Sequence, residues 1–125
     1  MGSPAPLGLH LLLDLADAPF ATLDDPVVVE EALVAAARTM RARVLGIHVH
    51  RLVPQGISGI VVISESHLTI HTWPERGEAA VDLFTCGDPA GAREAVAGLL
   101  AHLGAMRSRL TEILRGAGEP PAPPR

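Results

Sequence analysis

The stretch Ile57-Ser-Gly-Ile-Val-Val-Ile63, followed by Ser64-Glu-Ser-His67 and then by Leu68-Thr-Ile-His-Thr-Trp73, gives the pattern from which the rest of the chain can be interpreted. The first segment is rich in β-branched residues, which is typical of a strand. The third alternates Leu68 and Ile70 against more polar residues, which is the two-residue period of a strand with one buried face. Two strands joined by a short polar break are therefore predicted here.

Further strands and two helices are predicted on both sides of this pair. Strands are predicted from Leu7 to Asp14, Val44 to Leu52, Ala79 to Phe84 and Ala105 to Leu114, with residues 15–24 as a loop. Asp25-Pro26 and Asp88-Pro89 each place a capping carboxylate before a proline, so a helix should start at each. The spacing of apolar residues predicts that the first helix ends at about Thr39 and that the second ends at a cap at Gly104. The expected fold is a two-layer α+β sandwich, an antiparallel sheet covered by two helices on one face.

Length and composition predict one globular domain. The chain has 125 residues and 48% apolar content, so we expect a domain over residues 1–115 and a disordered, proline-rich tail over 116–125. The net charge of −4 and the scarcity of aromatic residues argue against a nucleic-acid partner. A single cysteine excludes an internal disulfide. The apolar run from Leu7 to Leu13 is too short to span a bilayer, so we expect a soluble, cytoplasmic protein with no membrane partner.

The polar break between the central strands is where the sequence first indicates chemistry. Ser64-Glu-Ser-His67 can be an exposed hairpin turn without function, and a Glu-Ser bond alone is a weak signal. Its surroundings are more specific. The stretch from Pro54 to Glu75 resembles the bacterial and archaeal S-adenosylmethionine decarboxylases, and so do Gly8-Leu-His10 and Ala79-Ala-Val-Asp-Leu-Phe-Thr-Cys-Gly-Asp88.

The resemblance implies a chain that cuts itself between Glu65 and Ser66. The Ser66 hydroxyl attacks the preceding carbonyl and turns the amide into an ester, and elimination then releases the chain ending at Glu65. The remaining dehydroalanine is hydrolysed to a covalent pyruvoyl group with loss of ammonia. The mature enzyme then consists of residues 1–65 and 66–125. The resemblance further implies a homodimer of cleaved protomers, an αββα arrangement with active sites built across the interface.

A pyruvoyl group suits decarboxylation because none of the twenty side chains is a good electron sink. Loss of carbon dioxide from an α-amino acid leaves a carbanion at Cα. A pyruvoyl carbonyl can form a Schiff base with the substrate amine and delocalise that charge, much as pyridoxal phosphate does. No diffusible cofactor is then required.

The resemblance assigns roles to three further residues. His71 matches the histidine that takes the proton in the elimination step, and Cys86 matches the general acid that returns a proton to the substrate carbon. Ser58 matches a serine that hydrogen-bonds the scissile region and assists processing. The structural alternatives are a polar residue on an exposed strand face, an inert core thiol and a strand-edge hydroxyl, respectively.

The residues expected to bind the substrate depart from the family pattern. Glu75 matches a carboxylate that binds the substrate ribose, with Trp73 nearby. Two aromatic residues of the family are replaced by Val49 and Leu52, and a Tyr-Gly-Tyr segment reads Arg76-Gly-Glu78. Leu52 stands where a phenylalanine would stack on the adenine, and it offers apolar contact without a π-face.

These departures leave two substrate classes open, both feeding polyamine synthesis. S-adenosylmethionine is favoured by the frequency of that substrate in the family. Arginine or ornithine is the alternative, because a basic amino acid would need carboxylates around its distal cation and Glu78 adds one beside Glu75. Arg76 and Glu78 can equally be a solvated ion pair on a hairpin.

The sequence also leaves two functions of other classes as alternatives. The six histidines raise the possibility of a metal-binding protein, but their spacing is not that of a zinc site. A non-catalytic paralogue that regulates an active partner would be indicated by the loss of Ser66, His71 or Cys86, and all three residues are present.

Overall fold

The computed structural model describes residues 6–64 and 66–116 of the chain. The strands are β1 (Gly8–Ala16), β2 (Val44–Arg51), β3 (Ile57–Ile63), β4 (Ser66–Trp73), β5 (Glu78–Thr85) and β6 (Arg107–Arg115), and the α-helices are α1 (Phe20–Leu23), α2 (Pro26–Thr39) and α3 (Pro89–Leu103). A 3₁₀ turn, Pro74–Arg76, joins β4 to β5. Within these residues, no helix is long and apolar enough to cross a membrane. Glu65 and residues 117–125 of the predicted disordered tail lie outside the described residues.

All six strands form one sheet in the order β2-β3-β4-β5-β1-β6, and every neighbouring pair is antiparallel. The two central strands predicted from the sequence are the β3–β4 hairpin, in which Ile63 pairs with Ser66 and Ser58 pairs with His71. β1 lies between β5 and β6, so the first and last strands are neighbours. The predicted α+β class and the antiparallel sheet are confirmed.

α2 and α3 cover one face of the sheet and begin where the sequence predicts. Asp25 and Asp88 each accept hydrogen bonds from backbone N–H groups of the first turn. α3 ends at Gly104, whose φ of 71° is a left-handed conformation that glycine adopts at little cost. The core combines alternate strand residues with the apolar stripes of both helices, and its fully buried members include Leu11, Leu15, Ile57, Val61, Leu68, Ile70, Leu83, Val29, Leu33 and Leu99.

Several boundaries differ from the sequence prediction, and three of the differences are described here. β1 continues past Asp14 because Ala16 still pairs with Arg107 of β6. Residues 20–23, predicted as loop, form α1, whose Leu23 is fully buried. β4 begins within the predicted polar break because Ser66 pairs with Ile63. The first two differences are due to contacts with residues distant in sequence, since Ala16 pairs with Arg107 and the Leu23 carbonyl accepts a hydrogen bond from Thr72. The third is due to the tightness of the β3–β4 turn, which local patterns do not report.

The face of the sheet turned away from α2 and α3, here called the open face, remains partly exposed. It carries apolar as well as polar side chains, and Ile60 and Val62 are 37% and 43% exposed. Antiparallel sheets tolerate one solvated face, but a face with this much apolar surface is typical of an interaction site.

Candidate active site

Ser66 is the first residue of β4 and marks one end of the sheet, here called the cleavage end. Its hydroxyl oxygen is buried and has no hydrogen-bond partner in the described part of the chain. Leaving a buried hydroxyl unpaired costs about 1–3 kcal/mol, so such a group is rare in a native structure and a catalytic role is one reason for keeping it. The geometry therefore favours chemistry at Ser66 over a purely structural turn.

Cys86 lies at the same end of the sheet, directly after β5. Phe84 pairs with His67, the residue that follows Ser66, so Ser66 and Cys86 lie at the same end of two neighbouring strands, whose axes are about 5 Å apart. The Cys86 side chain is exposed and forms no disulfide. The alternative of a buried, inert core thiol is therefore wrong, and the thiol is accessible to a ligand at the cleavage end.

A row of three rings crosses the open face close to this end. His10 pairs with Phe84 and Phe84 pairs with His67 across β1, β5 and β4. The ring centroids are 5.9 Å and 6.4 Å apart. Nε2 of His10 is buried without a hydrogen-bond partner in the residues described, although the Asp82 carboxylate lies 3.7 Å away. The rings form an aromatic wall beside the cleavage end.

Ser58 and His71 are in contact on the open face. They are paired residues of β3 and β4, and Ser58 Oγ lies 3.0 Å from His71 Nδ1, a hydrogen bond. His48, His50, Ile60 and Thr69 line the same shallow cavity of about 250 Å³. The two residues to which the resemblance assigns processing roles thus form one unit.

Ser66 and His71 are far apart within one chain. Both lie on β4, and the strand is continuous between them. Five residues of extended strand span about 16 Å. A side chain cannot bridge that distance, so the Ser58–His71 pair lies at a different place on the sheet from Ser66 and Cys86.

The predicted substrate-binding residues Leu52, Trp73 and Glu75 lie at the opposite end of the sheet, here called the turn end. Gln55 donates a hydrogen bond from Nε2 to Glu75 Oε2 over 2.9 Å, and this bond joins the β2–β3 turn to the turn after β4. Leu52 is 43% exposed and Trp73 is 44% exposed, so both are available for contact. Val49, predicted as a pocket position, instead packs against the core.

Asp24 fixes the shape of the turn end. One carboxylate oxygen accepts from the backbone N–H of Gly56 over 2.9 Å, and the other accepts from Arg51 over 3.0 Å. Gly56 has a φ of 106° and is buried, so the turn that presents Leu52 depends on a glycine and on this carboxylate. Sequence reasoning missed this role because Asp24 lies 32 residues before Gly56.

Glu78 is paired with Arg76 over 2.9 Å, and both side chains are largely exposed. They line a cavity of about 840 Å³ together with Trp73, Asp14, Arg107 and Arg109. The arginines here are paired too: Arg109 bonds Asp14, and Arg107 bonds Asp17, which lowers the pKa of the Asp17 carboxyl. Arg76 and Glu78 therefore form a solvent-exposed ion pair in the structure. The positive charge of Arg76 offsets the negative charge with which Glu78 would bind a cationic substrate.

The residues at the cleavage end fit a pyruvoyl group, and the described residues do not form a metal centre. The group would arise from the half-buried Ser66 itself, so no separate cofactor pocket is needed. Among residues 6–64 and 66–116, no three His, Cys, Asp or Glu side chains are placed to hold a metal ion.

Comparisons with known proteins point to one family. The family model described as S-adenosylmethionine decarboxylase matches residues 9–116. An S-adenosylmethionine decarboxylase proenzyme from Caldanaerobacter subterraneus subsp. tengcongensis is 46% identical over 115 residues, which cover 92% of this chain and 93% of that protein. A protein of the same name from Moorella thermoacetica is 47% identical and covers 92% of both chains.

A solved structure agrees with the fold. The crystal structure of the adenosylmethionine decarboxylase from Aquifex aeolicus VF5 matches with a TM-score of 0.85. The match covers 97% of this chain and 100% of that chain at 32% identity. The resemblance drawn from the sequence motifs is thereby confirmed at the level of the whole chain.

Proposed function

The chain belongs to the S-adenosylmethionine decarboxylase family, and on that premise we propose that it cuts its own backbone before Ser66 and then decarboxylates S-adenosylmethionine. The family is pyruvoyl-dependent and forms the group from an internal serine. The observation that carries the assignment of Ser66 is its buried hydroxyl at the start of β4, which has no hydrogen-bond partner among the described residues and lies at the same end of the sheet as Cys86. The product serves polyamine synthesis.

Self-cleavage needs a nucleophile and a base. The Ser66 hydroxyl attacks the carbonyl of Glu65, and the backbone bond becomes an ester. A neutral imidazole at His71 then takes the proton from Cα of residue 66, so that the ester oxygen leaves with the chain ending at Glu65. The hydrogen bond between Ser58 Oγ and His71 Nδ1 fixes the His71 ring in one orientation.

Decarboxylation needs an electron sink and a proton donor. The pyruvoyl group supplies a carbonyl that captures the substrate amine and delocalises the electron pair left by carbon dioxide. Cys86 donates a proton to the substrate carbon, which its exposed thiol at the cleavage end can reach. Glu75 and Leu52 hold the nucleoside part at the turn end, where Gln55 orients the Glu75 carboxylate.

A homodimer completes the site. Within one chain, about 16 Å of strand separates Ser66 from His71, and the turn end is farther still. Two chains that pack their open faces together around a two-fold axis can bring the cleavage end of one chain close to His71 and Glu75 of the other. Half-exposed Ile60 and Val62 supply apolar surface for that interface. One domain over residues 1–115 and a cytoplasmic location complete the proposal.

The alternative substrates, arginine and ornithine, find no support in the relatives, which are named for S-adenosylmethionine. Leu52 in place of an aromatic residue remains the observation that motivates testing them. Glu78 is a weak argument for a cationic substrate because Arg76 already pairs with it.

The test is carbon dioxide release by the purified, cleaved protein with S-adenosylmethionine, arginine and ornithine assayed side by side. We expect turnover of S-adenosylmethionine alone. Turnover of only a basic amino acid would reject the substrate while leaving the pyruvoyl chemistry in place. Cleaved protein that releases no carbon dioxide from any of the three would reject the decarboxylase itself.

A further inference from the structure

The Ser58–His71 pair has a neighbour on its other side, His50. His50 of β2 pairs with Ser58 of β3, just as Ser58 pairs with His71 of β4. The three residues therefore form one row across three strands, and all three line the same shallow cavity on the open face. Cβ atoms of directly opposed residues lie about 5 Å apart, so the imidazole of His50 can reach the Ser58 hydroxyl.

The direction of the Ser58–His71 hydrogen bond decides whether His71 can act. A neutral imidazole has one nitrogen that donates and one that accepts. If the Ser58 hydroxyl donates to Nδ1, then Nε2 carries the proton and cannot serve as a base. If Nδ1–H donates to Ser58 Oγ, then Nε2 is free to take a proton. A base at His71 Nε2 therefore requires Ser58 to accept this bond and to donate its own proton elsewhere.

We propose that His50 accepts that proton in a hydrogen bond and is a positioning residue for self-cleavage. This inference rests on the role proposed above for His71. In this row the Ser58 O–H donates to a ring nitrogen of His50, and the Nδ1–H of His71 donates to Ser58 Oγ. His50 acts through Ser58, because it selects the His71 tautomer whose Nε2 is a base.

The row works only while both histidines are neutral, which gives it a pH signature. A protonated His50 has no acceptor, and a protonated His71 is no base. Among the described residues of the same chain, the other titratable group facing His50 is His48, whose ring stacks on it with centroids 6.3 Å apart and planes 13° apart. Arg51 is paired with Asp24, and β2 is an edge strand, so only β3 packs beside it in the sheet.

The test measures the rate of self-cleavage of freshly translated full chain transferred into buffers from about pH 5 to 8, followed by intact mass. For the wild type, the logarithm of the rate should rise with pH at a slope of about two on the acid side, because two groups must lose protons. His50→Gln keeps an acceptor but does not titrate, so its slope should fall to about one. His50→Ala lacks the acceptor and should be slower by about three- to tenfold.

His48→Gln is the matched control, since His48 lies on the same strand and face but pairs with Ile60, which has no hydroxyl. Its slope should remain about two. A slope that is unchanged in His50→Gln, or a wild-type slope of about one, would overturn the inference about His50. Wild-type cleavage in His71→Ala would instead reject the role of His71 in the proposed function, so the two failures are distinguishable.

Discussion

At the scale of single residues, Cys86 separates the two reactions that the chain is proposed to perform. The thiol is exposed at the cleavage end and lies on the strand next to Ser66, but the cleavage steps require only Ser66 and a base. We therefore predict that Cys86→Ala still cleaves itself but releases carbon dioxide about 100-fold more slowly, the usual contribution of a general acid. Intact mass and carbon dioxide release on the same sample check this.

Cys86→Ser is the matched control for that experiment, because it keeps a poorer proton donor of similar size and should lie between the wild type and the alanine variant. Full decarboxylase activity in Cys86→Ala would show that another group returns the proton.

Leu52 permits a direct test of the altered pocket. Its side chain is 43% exposed at the turn end, so a larger ring can be accommodated. We predict that Leu52→Phe lowers KM for S-adenosylmethionine by about two- to tenfold, since one aromatic contact contributes about 0.5–1.5 kcal/mol. Steady-state kinetics measure it, with Leu52→Met as a control of similar volume without a ring. An equal effect of both variants would mean that stacking is not the cause.

The residue types needed for the chemistry could be predicted from the sequence, whereas their distances could not. Ser58 and His71 were each assigned to processing, and the structure places them 3.0 Å apart. Ser66 and His71 lie five positions apart in sequence, yet the extended backbone of β4 keeps them far apart within one chain. Val49 differs from the family and still packs against the core. A motif shows which residues are present and in what order, whereas the distances between their side chains follow from the geometry of the strands.

At the scale of secondary structure, two adjacent carboxylates perform different tasks. Asp25 caps α2, whereas Asp24 reaches the β2–β3 turn and bonds Arg51 and the buried N–H of Gly56. We predict that Asp24→Ala lowers the free energy of unfolding by about 2 kcal/mol and also raises KM, because the turn that presents Leu52 loses its anchor. Urea denaturation and steady-state kinetics on the cleaved enzyme measure both effects.

Asp25→Ala is the control at the neighbouring position. Loss of the cap should cost about 1 kcal/mol and leave KM unchanged. If Asp24→Ala destabilised the protein without any change in KM, the turn end would not depend on Asp24 for substrate binding.

The central residues of the strands and the starts of α2 and α3 could be predicted from the sequence, whereas several strand ends could not. Asp-Pro caps located α2 and α3, and the alternation from Leu68 onward located β4. The end of β1 was missed because it depends on pairing with Arg107, far along the chain, and the start of β4 was missed because the β3–β4 turn is tighter than the polar break suggests. α1 was missed because four residues give no helical period.

At the scale of the whole molecule, the proposed sharing of sites between two chains can be tested by complementation. In a dimer of one Ser66→Ala chain and one His71→Ala chain, one site would combine an intact Ser66 with an intact His71 from the other chain. We predict that the His71→Ala chain is cleaved in this mixed dimer but not in its own homodimer. Mass spectrometry of tagged chains after co-expression measures it.

The control for complementation is the Ser66→Ala homodimer, which should stay intact. If the His71→Ala chain remains uncleaved in the mixed dimer, each chain uses its own His71, and the strand of about 16 Å between Ser66 and His71 would have to rearrange.

The central claim is that Ser66 becomes the pyruvoyl group of an S-adenosylmethionine decarboxylase, and the intact mass of the purified protein tests it most directly. The account predicts two chains, residues 1–65 and a second chain from position 66 whose mass lacks one ammonia relative to a chain that begins with serine. Ser66→Ala should give one uncleaved chain. A wild-type protein that remains a single chain of full mass under conditions in which it is folded would contradict the account.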